Sequence, residues 1–346
     1  MRLQDKWTEF TEERLDELLT VPSPALVEDM KKLEGDILVL GAGGKMGPTL
    51  CLLAKKAAEL AGVQKRVIAV SRFGDPIVRE LLQANGVEMI SADLLAPGAV
   101  EALPDCPNVI YMAGKKFGTN GQEYQTWAMN AWLPSRVAER YQNSRIVVFS
   151  TGNIYPKVPV WSGGATEDTH PEPVGEYAMS SLARERMFEY AAHTFGTKIA
   201  VYRLNYAVDL RYGVLYDIAK NIMEGTPVSV TSPCFNCIWQ GDANEAALRL
   251  LLHASGDIFR LNVTGPETAG VRETALRLAA LLGREVTFTG EEAPTAYLNN
   301  ASKMAELFGN PSVPLGTLIE WQAGWIRSGG RALGKPTHFE ERKGNF

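Results

Sequence analysis

From residue 36 onward, short apolar runs alternate with longer stretches in which apolar residues return every three or four positions. The runs at 37–40, 66–70, 88–91, 109–112, 145–150 and 198–204 are short and rich in Ile, Val and Leu, so they predict strands. The stretches 48–61, 77–85, a short 98–103, 123–141 and 176–195 predict the helices between them. Strands without strict polar alternation are buried on both faces. With the strand–helix rhythm they predict an α/β fold, a doubly wound parallel sheet. Ahead of it, residues 13–19 and 25–33 predict two short helices, with Pro22 as the break and Ser23 as the second cap. After Leu204 the rhythm loosens into helix 212–224, extended 228–230, helix 243–253 capped by Asp242, strand 258–263, helix 271–282, strand 285–288, and helices 301–308 and 315–327.

The first strand runs directly into Gly41-Ala-Gly-Gly-Lys-Met-Gly47, and a helix-forming run follows. A strand ending in a glycine turn that opens a helix aims free N–H groups and the positive end of the helix dipole at whatever lies above it. Gly41 permits the tight turn, Gly44 removes a side chain where a pyrophosphate would lie, and Gly47 lets helix and strand pack closely. Lys45 and Met46 belong to the same cradle. The spacing is Gly-x-x-Gly-x-x-Gly, because Met46 stands where a Gly-x-Gly-x-x-Gly pattern would have its last glycine. The organisation expected is a helical extension over 1–34, a dinucleotide-binding domain over 35–206, a smaller C-terminal substrate region over 207–327 with strands returning to the main sheet, and a polar tail over 328–346.

Composition narrows the class without changing it. The chain of 346 residues is 45% hydrophobic and 22% charged with a net charge of −5, so no basic surface for nucleic acid is expected. No apolar run reaches the ~18 residues of a membrane span. The charged first ten residues lack the apolar core of a signal peptide, and four cysteines read as reduced thiols, so a cytoplasmic protein is expected. Cys234-Phe-Asn-Cys237 has no second pair to complete a zinc site, and no metal is expected.

Strand two ends at Ser71-Arg72. An acid there would bond the ribose hydroxyls of NAD, whereas an arginine accommodates the phosphate of NADP, so NADP is the expected cofactor with NAD as alternative. Asp93, after strand three, is placed to cap its turn or bond the adenine amine.

These features, with Ser91-Ala-Asp93, Tyr111-Met-Ala-Gly114, Asn130, Phe149-Ser-Thr-Gly-Asn-Ile-Tyr155, Tyr177-Ala-Met-Ser180, Arg203-Leu-Asn205 and Leu261-Asn-Val-Thr-Gly-Pro-Glu267, fall in an order that resembles the extended short-chain dehydrogenases/reductases, the NAD-dependent epimerase/dehydratase type, over residues 36–327. The resemblance implies a Rossmann-like sheet and an enzyme moving hydride to or from a carbohydrate-like alcohol or ketone. It implies that Ala113 and Gly114 border the nicotinamide, that Asn130 holds a water of the proton relay, that Thr151 bonds the substrate oxygen, and that Tyr177 exchanges a proton with it. A phenol serves as acid and base once its pKa falls toward neutrality.

One position departs from the pattern. The family has Tyr-x-x-x-Lys, and this chain has Ser181 where the lysine would bond the nicotinamide ribose and supply a positive charge. Serine can bond ribose without charge. Lys115 and Lys116, after Gly114, are the expected substitutes, with Arg184 further along the Tyr177 helix. Two other functions stay open: a dinucleotide-binding sensor or scaffold without turnover, and a lyase or dehydratase using transient oxidation. Gly152-Asn153 replaces the Asp-Glu pair of the family's dehydratases. A small-molecule substrate and a possible homodimer complete the expectation.

Overall fold

The computed structural model describes residues 10–118 and 120–345. The charged start of the chain, residue 119 of the loop after Gly114 and the last residue of the tail lie outside the described residues. The centre is a sheet of seven strands: β1 (Ile37–Leu40), β2 (Val67–Ser71), β3 (Glu88–Ser91), β4 (Asn108–Tyr111), β5 (Arg145–Thr151), β6 (Lys198–Leu204) and β7 (Phe259–Val263). Their order is β3-β2-β1-β4-β5-β6-β7, and every neighbouring pair is parallel.

Alternation along β1 divides the core. Ile37 and Val39 face a cluster with Leu50, Leu53, Ala247 and Leu251, whereas Leu38 and Leu40 face one with Tyr111, Val137 and Phe188. Both faces are therefore covered, which is why the strand runs are continuously apolar. A third cluster sits away from the sheet and joins Leu15 and Leu19 to Leu215, Ile218, Leu278, Trp239 and Trp325.

The helices are α1 (Glu12–Leu19), α2 (Pro24–Lys32), α3 (Gly47–Leu60), α4 (Pro76–Ala84), α5 (Glu123–Trp127), α6 (Leu133–Arg140), α7 (Gly175–Phe195), α8 (Val214–Glu224), α9 (Gln240–Leu250), α10 (Val271–Leu282), α11 (Ser302–Phe308) and α12 (Leu315–Arg327). Thr11, Ser23 and Asp75 cap α1, α2 and α4 through their side chains. Gly196, Gly225 and Gly283 end α7, α8 and α10 in the left-handed conformation. Among the described residues no helix is long and apolar enough to cross a membrane.

Five elements differ from the sequence expectation, the strand expected at 285–288 being reduced to Phe288–Thr289. Residues 98–103 form successive turns, because Gly98 at φ +75° and Pro104 leave too little chain for a helix. The 123–141 helix contains a π-turn, Ala128–Trp132, between α5 and α6. Asp242 is the third residue of α9 and no cap; its carboxylate accepts bonds from the Ser312 N–H and hydroxyl. The polar segment after Arg327 is laid down on the body, with Thr337 and Phe339 buried.

Candidate active site

β1 lies between β2 and β4, so the crossovers leaving it run in opposite directions. In such sheets a crevice opens at the C-terminal edge where the direction switches. Leu40 is level with Val70 of β2 and Tyr111 of β4, so three strand ends meet there.

The glycines of the turn do different work. Gly41 has φ +90°, and a Cβ on it would lie 2.6 Å from the Ala113 N and Cα. At Gly47 a Cβ would fall on the Ala42 carbonyl, and at Gly43 on the Ser71 side chain. Gly44 is exposed, and its Cβ would meet only the Gly41 oxygen at 3.4 Å. The turn thus presents open space at Gly44 in front of α3, whose first turn has no side-chain cap. That cradle fits a pyrophosphate. Met46 contributes backbone: its carbonyl accepts from Leu50 N and Thr49 Oγ1 while its side chain packs on the core. The side chain of Lys45 packs on two rings. Its ammonium lies 3.2 Å from the Tyr212 ring centroid and 5.3 Å from that of Phe117.

At the ends of β2 and β3, Ser71 is level with Ser91 and Arg72 is exposed. Asp93 is exposed too, and its carboxylate accepts the Leu95 N–H at 3.1 Å, which fixes the turn.

The end of β4 is held from inside by Asn130. The π-turn brings this wholly buried amide under residue 115. Its oxygen accepts from the Lys115 N–H and from Arg184 Nη2, both at 2.8 Å, and its nitrogen donates to the Lys115 carbonyl at 2.8 Å and to Ser180 Oγ at 3.0 Å. All four hydrogen-bonding positions of the side chain are filled by protein, so the side chain holds the 115 backbone in position. Arg184 also donates to the Phe149 carbonyl at 2.7 Å, and a Cβ on Gly114 would lie 2.6 Å from its Nη2. The buried guanidinium therefore ties α7 to the ends of β4 and β5. Ser181 is wholly buried, and its hydroxyl has no partner among the described residues. An unsatisfied buried hydroxyl costs ~1–3 kcal/mol, which a bond from a cofactor ribose would relieve.

Thr151 ends β5 and is 7% exposed. Its hydroxyl accepts the Asn153 N–H at 3.2 Å and donates to Asn153 Oδ1 at 3.3 Å, weak bonds that a substrate oxygen can replace. Below it lies a buried polar network that the sequence reading matched only as short motifs. Glu185 pairs with Arg203 through two bonds of 2.8 and 3.1 Å, Arg203 donates to Tyr155 OH at 2.6 Å, and Tyr155 donates to Asn262 at 2.9 Å. Asn205, Asn236 and Asn299 continue the chain of bonds into the C-terminal half. A Cβ on Gly152 would lie 2.5 Å from Asn299 Oδ1, so a larger residue at this position requires the Asn299 side chain to move.

Tyr177 is the third residue of α7 and half-buried. Of the two lysines after Gly114, Lys116 reaches it, with its ammonium 5.5 Å from the ring centroid. Lys115 turns away and donates to Gln122 and Gln125 at 2.9 and 3.0 Å. Burial lowers the Lys116 pKa to about 8, against the attraction of Asp217 and Glu340. Burial, then repulsion from Lys116 and Lys335, lowers Lys45 to about 7. Tyr206 and Tyr212 stand close enough to feel the Tyr177 phenol, and burial pushes both of their phenols up.

The C-terminal segment completes this side of the site. Thr337 donates its N–H and hydroxyl to Asp217 at 2.7 and 2.5 Å, the His338 ring lies 5.7 Å from that of Phe117, and Arg342 donates to Thr295. Gly344 packs on Val174 and Gly175, where α7 begins.

Residues 37–255 match the model of the NAD dependent epimerase/dehydratase family. No curated protein matches the sequence. Similar solved structures include a UDP-glucuronic acid 4-epimerase from Bacillus cereus in complex with UDP-glucuronic acid and NAD, with a TM-score of 0.69 and 21% identity over 85% of this chain and 99% of that one. A dTDP-glucose 4,6-dehydratase from Bacillus anthracis in complex with NAD has a TM-score of 0.71 and 17% identity over 85% and 97%. A UDP-glucose 4-epimerase from Thermotoga maritima with UDP-glucose has a TM-score of 0.69 and 17% identity over 85% and 99%. With the matched segment spanning the glycine turn, Asn130, Thr151 and Tyr177, this chain is an enzyme of the NAD dependent epimerase/dehydratase family.

Proposed function

We propose that the protein oxidises and reduces a carbohydrate-like alcohol or ketone by hydride transfer, as an epimerase or oxidoreductase, with Tyr177 exchanging the proton. The observation that carries this is the Lys116 ammonium, 5.5 Å from the Tyr177 ring at the edge where the glycine turn opens. Gly44 and the start of α3 would hold NAD or NADP, which would supply the hydride acceptor and donor. Thr151 orients the substrate oxygen. Tyr177 takes the proton from the alcohol or returns it to the ketone. Lys116 sets its ammonium beside the ring of Tyr177, in place of the lysine absent at position 181. Arg184 and Asn130 hold the 114–116 backbone in position for this.

Two of the structures named above, the UDP-glucuronic acid 4-epimerase and the dTDP-glucose 4,6-dehydratase, are in complex with NAD. For this chain we infer a preference for NADP, supported by the exposed guanidinium of Arg72 directly after β2 and by the absence of an acid at Ser71. Calorimetry with both cofactors tests it. Arg72→Ala is expected to weaken NADP about ten- to a hundredfold and leave NAD unchanged, since a charge-assisted bond is worth ~1.5–3 kcal/mol. Equal affinities in wild type would overturn the preference. The chemistry is tested by comparing Lys116→Met with Lys115→Met, of which only the first is expected to slow turnover.

A further inference from the structure

The segment 337–344 lies well beyond residue 255, where the family match ends, and it joins the two halves of the site. The Thr337 N–H and hydroxyl donate to Asp217 of α8 at 2.7 and 2.5 Å, and the His338 ring lies 5.7 Å from that of Phe117, after β4. Phe339 is buried in the third cluster. The Glu340 carbonyl accepts from Thr231 at 3.4 Å. Arg342 donates to the Thr295 carbonyl and hydroxyl at 2.6 and 2.8 Å, and its own carbonyl accepts from Lys157 at 3.0 Å. Gly344 then packs on Val174 and Gly175, at the start of α7. We propose that this segment is a strap closing the outer side of the substrate cleft, so that the site takes a small carbohydrate and excludes one that carries a nucleoside diphosphate. This rests on the hydride-transfer reading, which puts the reacting carbon at Thr151 and Tyr177, and it names the substrate class which that reading leaves open.

A large substituent on that carbon has one direction to follow. The side toward β1 and α3 is the cradle that would hold the cofactor. Beneath Thr151 the space is filled by the buried side chains of Glu185, Arg203 and Tyr155. The direction left runs outward, between the start of α7 and the segments at 217, 231 and 295, which are the ones the strap joins. Printed contacts fix how near the strap comes to the phenol. Gly344 lies on Gly175, two residues before Tyr177. His338 faces Phe117, whose ring is 5.3 Å from the Lys116 ammonium, itself 5.5 Å from the Tyr177 ring. The seat is specific: Thr337, Phe339 and Gly344 are buried, and Gly175 and Gly344, at φ +82° and +80°, approach as only glycines can. Charge acts in the same sense. Glu340 and Asp217 are close enough to act on the Lys116 ammonium, and two carboxylates at the mouth of a cleft repel a diphosphate far more than a neutral sugar. Two cations of this wall, Arg342 and Lys157, are engaged with Thr295 and with the backbone of the strap.

The test is calorimetric titration of UDP and UDP-glucose into protein saturated with whichever of NAD and NADP binds more tightly, which keeps the probes out of the dinucleotide cradle. Two full-length variants open the strap from opposite ends: Thr337→Pro has neither donor for Asp217, and Gly344→Val cannot seat on Gly175. Wild type is expected to give no saturable heat with either probe, and both variants are expected to bind UDP at least about tenfold more tightly, as one charge-assisted bond regained would allow. Binding of UDP or UDP-glucose by wild type would overturn the proposal, and this arm stands even where a variant fails to fold. Folded variants in which trypsin cuts faster after Arg342, yet which bind UDP no better than wild type, would overturn it as well. Reduced cofactor formed from sugars is recorded separately. Its absence with every sugar counts against the hydride-transfer reading, whereas the UDP titrations report on the strap alone, so the two failures are distinguishable.

Discussion

Gly344 lies backbone against backbone on Gly175, two residues ahead of Tyr177: a Cβ on either glycine would enter the other's main chain, and both have φ near +80°. The end of the chain is thereby locked to the start of the helix that carries Tyr177. Gly344→Val is expected to expel the segment from Thr337 onward and to raise the rate of tryptic cleavage after Arg342 and Lys343, read by mass spectrometry, with the rest of the fold intact. An unchanged cleavage rate would show that the contact does not hold the segment.

The glycines of the turn separate binding from folding. Gly47→Ala is expected to lower the melting temperature, because its Cβ meets the Ala42 carbonyl. Gly44→Val is expected to keep the melting temperature and abolish dinucleotide binding by calorimetry, because its side chain enters only the open space of the cradle. The reverse pattern would contradict the assignment.

Glu185 and Arg203 are 0% and 4% exposed at their side chains, and they anchor the network between the two halves. Glu185→Ala leaves a buried guanidinium without its partner and is expected to cost ~3–5 kcal/mol in denaturant unfolding. A loss below about 1 kcal/mol would show that Tyr155 and the Glu167 carbonyl suffice for Arg203.

Much of the fold was legible because strands covered on both faces declare themselves as continuous apolar runs, and the turn from Gly41 to Gly47 declares its glycines. Asn130, Thr151 and Tyr177 were legible as motifs. Three things were not. The π-turn adds a residue to a helix without changing its composition, so the inward aim of Asn130 was invisible. Which of two adjacent lysines faces Tyr177 depends on the clamp Asn130 puts on residue 115. The C-terminal segment is polar in composition, yet Gly344, the buried Thr337 and Phe339, and Arg342 seat it on the body. Short motifs such as Arg203-Leu-Asn205 also hid that their side chains form one network.

The buried lysines make stability depend on pH. Lys45 is surrounded by Lys116, Lys335, Asp217 and Asp209, and its pKa is about 7 in the fold against 10.5 ordinarily. The unfolded chain binds more protons between those values, so stability rises with pH across that window; the penalty is complete below about 7. Lys45→Met is expected to be more stable than wild type at pH 6.5 by an amount on the order of a few kcal/mol. The difference should shrink toward pH 9.5. A difference that does not depend on pH would contradict the buried ammonium.

The central claim is that Tyr177 moves the proton that accompanies hydride transfer, with a cation from residue 116 instead of 181. Its most direct measurement is the NADH or NADPH absorbance that appears when cofactor-saturated protein meets uronates and nucleotide-linked sugars, compared between wild type and Tyr177→Phe. The account predicts reduced cofactor in wild type, a loss of nearly all of it in Tyr177→Phe, and unchanged cofactor affinity, since the ring's packing survives and only the hydroxyl is removed. Equal formation of reduced cofactor by both proteins would contradict it.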